Sequence, residues 1–160
     1  MAIPTNIETT AKTTLFNAGV EEEIPVPLEK VAAHLGYGCV GFNPDENTMN
    51  ISGVVDYASK RIFVNLSESL NRQRFTIAHE IGHIVLHSID AAGIVDLRQN
   101  IDAPNDQKEI EANQFAAALL MPRERFMQEW SHTSSTIESL SAMFGASKQA
   151  VEIRAKNVLD

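Results

Sequence analysis

A single cysteine, Cys39, stands among 160 residues. An internal disulfide is therefore excluded, and the usage fits a reducing compartment. Long apolar runs are missing as well. The longest, Phe115 to Met121, falls far short of the ~20 residues that a membrane-spanning helix needs. The opening Met1-Ala2-Ile3-Pro4-Thr5 carries neither a basic nor an apolar leader segment, so no secretory signal is expected. Positive charge is scarce: 13 Lys and Arg face 21 Asp and Glu, for a net charge of -8. A surface of that sign repels phosphates, so direct nucleic-acid binding would require a local basic patch. Repeats and low-complexity tracts are also absent. What is present, 44% hydrophobic and 21% charged residues, describes an ordered globular chain. A soluble cytoplasmic protein of one domain, residues 1–160, is expected.

Along the chain, Ile7, Ala11, Leu15 and Ala18 fall three or four apart and predict a helix over 5–18, ended by Gly19. Pro25-Val26-Pro27 punctuates a connector, and Pro27 opens a second helix with Leu28, Val31, Ala32 and Leu35 as its buried stripe. Gly36-Tyr37-Gly38 stops that helix, and His34 within it reads as an ordinary histidine without a role. Three short strands follow, at 39–42, 51–57 and 61–66, the last two joined by a hairpin at Ala58-Ser59-Lys60. Gly53 marks a bulge or a close approach in the second strand. A small, mainly antiparallel three-stranded sheet is expected across 37–67, after N-terminal helices in 1–36.

From Phe75 to His87 the chain becomes a nearly all-apolar helix, capped by Ser69 or Asn71, that contains His79-Glu80-Ile81-Gly82-His83. This is the pattern H-E-x-x-H. Two histidines four residues apart are about 400° apart round a helix, so both imidazoles leave on one face. That spacing lets two nitrogens share one tetrahedral zinc, with Glu80 beside it as a base for water. His87 continues the series, but eight residues of helix rise about 12 Å, so it cannot join His79 in one coordination sphere. Its ordinary reading is a histidine welcomed by the negative end of a helix. Gly82 costs about 1 kcal/mol relative to alanine inside a helix, so close packing by the sheet or a further helix is expected there.

Residues 88–105, with Gly93, Asn100, Pro104 and Asn105, read as an irregular excursion. A helix is predicted over 106–121, and it must supply the third ligand. Glu109, Ala112, Asn113 and Ala116 share one face of it. Small alanines admit the motif helix, and Asn113 stands one turn on, where it can hold the outer nitrogen of a ligand histidine. Glu111 points about 200° away, in line with Phe115, so Glu109 is the choice. The zinc-site helices thus occupy 68–122. Three more helices, near 123–131, 135–144 and 147–158, complete an α+β chain in 123–160. Met121, Phe126, Met127 and Trp130 read as core or its flank.

Arg72-Gln73-Arg74-Phe75-Thr76-Ile77-Ala78-His79-Glu80-Ile81-Gly82-His83, followed by Glu109, Ala112-Asn113-Gln114-Phe115-Ala116-Ala117 and Leu119-Leu120-Met121-Pro122, resembles the ImmA/IrrE family of metallo-endopeptidases. Pro25 through Ala32, Ile51-Ser52-Gly53 and the tail from Leu140 through Arg154 resemble it too, so the likeness runs through nearly the whole chain. It implies a zincin-like fold with zinc on His79, His83 and Glu109, and Glu80 as the catalytic base. It also implies cleavage of a helix-turn-helix repressor encoded nearby, which derepresses stress-response or mobile-element genes.

Two other functions compete. Ile137, Leu140, Met143 and Phe144, then Gly145-Ala146-Ser147, then Ala150, Val151 and Arg154 pattern as a helix-turn-helix in which Ser147 caps the second helix. Lys148, Arg154 and Lys156 would then meet phosphates. The overall acidity opposes direct DNA binding, and those apolar residues serve better as core. A non-catalytic regulatory module of the same fold, as in a phage switch or a toxin–antitoxin pair, is the third reading. The intact Glu80 argues against it. For a peptidase, the substrate strand is expected to add to an edge of the sheet. Tyr57, His132 and nearby arginines are the groups available to steady a developing oxyanion.

Overall fold

A computed structural model describes residues 2–87, the backbone of 95–99, and residues 107–160. Its helices are α1 (Thr5–Asn17), α2 (Leu28–His34), α3 (Leu70–His87), α4 (Gln107–Leu120), α5 (Arg123–Trp130), α6 (Ile137–Phe144) and α7 (Lys148–Leu159). Its strands are β1 (Gly38–Phe42), β2 (Ile51–Asp56), β3 (Arg61–Asn65) and β4 (Val95–Gln99). The α+β class is as expected. Gly19 and Gly36 end the first two helices at φ of 72° and 87°, backbone values that side chains disfavour and glycine tolerates.

The sheet exceeds expectation by one strand. Its order is β1-β3-β2-β4. The hairpin partners β2 and β3 are antiparallel, in a register that sets Val54 against Phe63. β4 adds to the other side of β2, also antiparallel, with Val54 against Leu97. β1 lies parallel to β3. β4 falls inside the stretch read as irregular, where Val95 and Leu97 do alternate with polar residues. The remainder of that excursion lies outside the described residues. As an interior strand, β2 buries Ile51, Ser52, Gly53 and Val55.

Against this sheet lies α3, begun by the Ser69 hydroxyl, which accepts from the Arg72 N–H at 3.2 Å. Every residue from Thr76 to Ile84 is buried, so this part of the helix is covered all round. The sheet covers one side. A β-carbon at Gly53 would collide with the Thr76 methyl, so β2 approaches as close as backbone allows. That strand also slips register between Ile51 and Gly53, so both readings of this glycine hold. The opposite side is covered by α4, which buries Ala112, Phe115, Ala116, Ala118, Leu119 and Leu120. Phe115, Phe126 and Phe144 are fully enclosed, each contributing about 1.5–3 kcal/mol by leaving water.

Two arginines bind the ends of the chain onto this centre. From α3, Arg74 donates to the Gly145 carbonyl at 3.1 Å and to the Val26 carbonyl at 3.0 Å. Arg154, fully buried on α7, donates through Nη1 and Nη2 to both Glu8 carboxylate oxygens at 2.6 and 2.9 Å. Its Nε donates to the Met121 carbonyl at 3.0 Å. Arg154 is therefore not among the cations that could meet phosphates. The turn between α6 and α7 otherwise follows the sequence: Gly145 adopts φ 63° and the Ser147 hydroxyl accepts from Ala150 N–H. Leu140, Phe144, Ala146 and Val151 there are core.

Candidate metal centre

The centre forms where α3 and α4 cross. Close contact is possible because Gly82 faces Ala112: a β-carbon at position 82 would lie 3.3 Å from the Ala112 Cα and 3.1 Å from Phe115 Cδ1. Of the two close approaches expected at that glycine, by the sheet or by a further helix, the second is found: α4, which carries Glu109. At this spacing the Glu109 carboxylate reaches the two imidazoles of α3. His79 Nε2 and His83 Nε2 are 3.1 Å apart. Glu109 Oε2 is 2.9 Å from the first and Oε1 is 3.3 Å from the second. Among the described residues, His79, His83 and Glu109 form the one group of three or more His, Cys, Asp or Glu side chains able to hold a metal.

Those distances suit zinc. Ligands at about 2.0–2.1 Å in a tetrahedron are about 3.3 Å from one another. The donor chemistry agrees. His79 Nδ1 lies 2.7 Å from Asn113 Oδ1, which can only accept, so the ring proton is on Nδ1 and Nε2 keeps its lone pair. That lone pair, the facing imidazole nitrogen and a carboxylate converge on one point, an arrangement that invites a cation. Burial pushes the Glu109 carboxyl up, but in the metal-free site, where the imidazoles can take up protons in place of an ion, hydrogen bonds and charge from His79 and His83 outweigh it and hold it well below the ordinary carboxylate range.

Access is one-sided. His83 is fully enclosed, whereas the Glu109 side chain keeps 26% of its surface exposed. Glu80 is fully buried where α3 meets β2, and a β-carbon at Gly53 would be 3.6 Å from its Cγ.

The structure thus brings together His79, His83 and Glu109, with Asn113 behind His79 as read from the helical face. Two residues set aside in the sequence also meet here. His87 Nδ1 lies 3.1 Å from His83 Nδ1, and His87 Nε2 lies 2.9 Å from Glu111 Oε1. The hydrogen bond from His87 holds the Glu111 carboxyl below its ordinary range. The spacing of His87 from His83 contained the signal, but toward the outer nitrogen instead of the metal. Of the other groups named for an oxyanion, Tyr57 packs edge-on against Tyr37, and His132 stands 3.7 Å from Glu129 on the turn after α5. Burial pushes the Cys39 thiol up to about 11, with Glu29 adding to the shift, so it is a poor thiolate ligand or nucleophile.

Residues 38–156 match the peptidase M78 family, described as the IrrE N-terminal-like domain. The chain belongs to this family. The matched stretch begins at β1 and ends within α7, so it contains every residue of the metal centre. The IrrE-like chain is also 24% identical over 148 residues to "Uncharacterized immunity region protein 2" of Bacillus phage phi105, covering 88% of this chain and 89% of that protein. Its fold is shared with a solved structure, "Mycobacterium tuberculosis transcriptional regulator", at a TM-score of 0.71 and 17% identity. That likeness covers 98% of this chain and 48% of the other, so the IrrE-like chain spans about half that regulator's length. Among its described residues, no helix is long and apolar enough to cross a membrane.

Proposed function

We propose that this chain is a zinc-dependent endopeptidase that cleaves a helix-turn-helix transcriptional repressor and thereby derepresses stress-response or mobile-element genes. The observation that carries the reading is the convergence of His79 Nε2, His83 Nε2 and the two Glu109 carboxylate oxygens, with contacts of 2.9 to 3.3 Å, near the edge length of a zinc tetrahedron. Bound zinc would polarise the scissile carbonyl and lower the pKa of an attacking water.

His79, His83 and Glu109 hold the ion, and Asn113 keeps His79 in the tautomer that can ligate. Glu80 is the general base: its carboxylate takes the water's proton and returns it to the leaving amine. The substrate strand pairs with a sheet edge, where main-chain hydrogen bonds align it without demanding one side-chain sequence.

A protein substrate connected with gene regulation is supported by the phage immunity-region relative and by family membership. Binding DNA directly is disfavoured by the net charge of -8 and by the enclosure of Arg154 against Glu8. The test is co-expression with a helix-turn-helix repressor, sought among the genes that adjoin this one. The wild-type chain cuts the repressor at one site, and Glu80→Gln leaves it intact. Cleavage by Glu80→Gln at the wild-type rate would overturn the assignment.

A further inference from the structure

We propose that His87 and Glu111 are positioning residues for the metal centre, forming a hydrogen-bonded chain that holds His83 in the one neutral tautomer able to ligate. This rests on the metal-binding reading above and assigns a role to two residues outside the ligand set.

The direction of the chain follows from donor and acceptor chemistry. Glu111 is a carboxylate and only accepts, so its 2.9 Å contact requires the proton to sit on His87 Nε2. A neutral imidazole has one N–H, so His87 Nδ1 presents a lone pair. The 3.1 Å contact between His87 Nδ1 and His83 Nδ1 then takes its proton from His83. With its proton on Nδ1, His83 has a bare Nε2, the atom that faces His79 and Glu109. The far end is steadied by Gln107, whose Nε2 stands 3.5 Å from the other Glu111 oxygen.

Burial makes the partner necessary. The His83 side chain has no exposed surface, so water cannot replace His87 as its acceptor. Without His87, His83 Nδ1 loses this 3.1 Å acceptor, and its proton shifts more readily to Nε2, where it blocks the ligating lone pair. The two ligand imidazoles thus have separate outer partners: an amide oxygen for His79, and a histidine backed by a carboxylate for His83. Glu109, Glu111 and Asn113 all project from α4, and His87 stands one turn after His83 on α3.

The experiment measures Zn2+ affinity of the purified chain by competition with a chromophoric chelator, alongside the thermal midpoint of each metal-free variant. His87→Ala weakens Zn2+ binding about 10- to 100-fold, the usual cost of losing an outer partner. Glu111→Ala falls between it and wild type. His87→Asn, whose Oδ1 can stand where Nδ1 stood, recovers most of the affinity. The metal-free midpoints of His87→Asn and Glu111→Ala stay close to wild type. Unchanged affinity in His87→Ala overturns the proposal, as does a fall in midpoint with affinity preserved. If wild type binds zinc and His79→Ala does not while His87→Ala binds normally, the metal centre stands and the positioning role falls. If wild type binds none, both fall.

Discussion

Gly82 on α3 and Ala112 on α4 stand so close that a β-carbon on the glycine would lie 3.3 Å from the alanine Cα. The reach of Glu109 to His79 and His83 depends on this contact, because Glu109 precedes Ala112 by less than one helical turn. Gly82→Val should therefore destabilise the metal-free chain by about 1–3 kcal/mol through overpacking and weaken metal binding in parallel. In Gly82→Ala, the gain in helix propensity of about 1 kcal/mol offsets the tighter contact, leaving stability near wild type. Urea denaturation of the two variants, paired with metal titration, checks both effects.

Asn113 supports His79 through the 2.7 Å contact to Nδ1. Asn113→Ala is expected to reduce Zn2+ affinity about 10- to 100-fold. Asn113→Asp, which keeps an acceptor, should lose far less. Titration calorimetry of both variants at one fixed pH separates them.

The Arg154–Glu8 pair ties the last helix to the first. Arg154→Ala leaves the Glu8 carboxylate, only 13% exposed, without its cation. A loss of about 3–5 kcal/mol is expected. The double variant Glu8→Leu, Arg154→Met removes both charges and should recover much of that loss. Chemical denaturation of Glu8→Leu, Arg154→Met and the double variant gives the coupling.

With its thiol pushed up to about 11, Cys39 should alkylate far more slowly in the native chain than in urea at pH 8.5. The sign for stability follows. The folded state keeps the proton longer, so this contribution is complete below the ordinary thiol range, about 8.5. It is lost as pH rises from there toward 11. Iodoacetamide labelling followed by mass spectrometry measures the first effect, and Cys39→Ser should flatten the second.

Local patterning carried most of the layout to the reader. The four-residue histidine spacing, the alanine face beside Glu109 and the glycine at position 82 each state a packing requirement in a few adjacent letters. The choice of Glu109 over Glu111 came from the face it shares with Ala112, Asn113 and Ala116, although Glu111 also reaches α3, through His87. What stayed hidden depends on partners remote in the chain. The parallel pairing of β1 with β3 and the addition of β4 to β2 are decided by tertiary neighbours. Arg154 reads as a surface cation until Glu8, at the opposite end of the chain, is placed against it. His87 was set aside because it cannot reach the metal, yet its partner is the outer nitrogen of His83. A pattern of ligand spacing does not announce that second use.

The most direct test of the zinc site is metal content after zinc loading and desalting. Wild type and Glu80→Gln should each retain one zinc per chain, while His79→Ala, His83→Ala and Glu109→Ala retain none. A zinc-free wild type, or full zinc retention by Glu109→Ala, would contradict it.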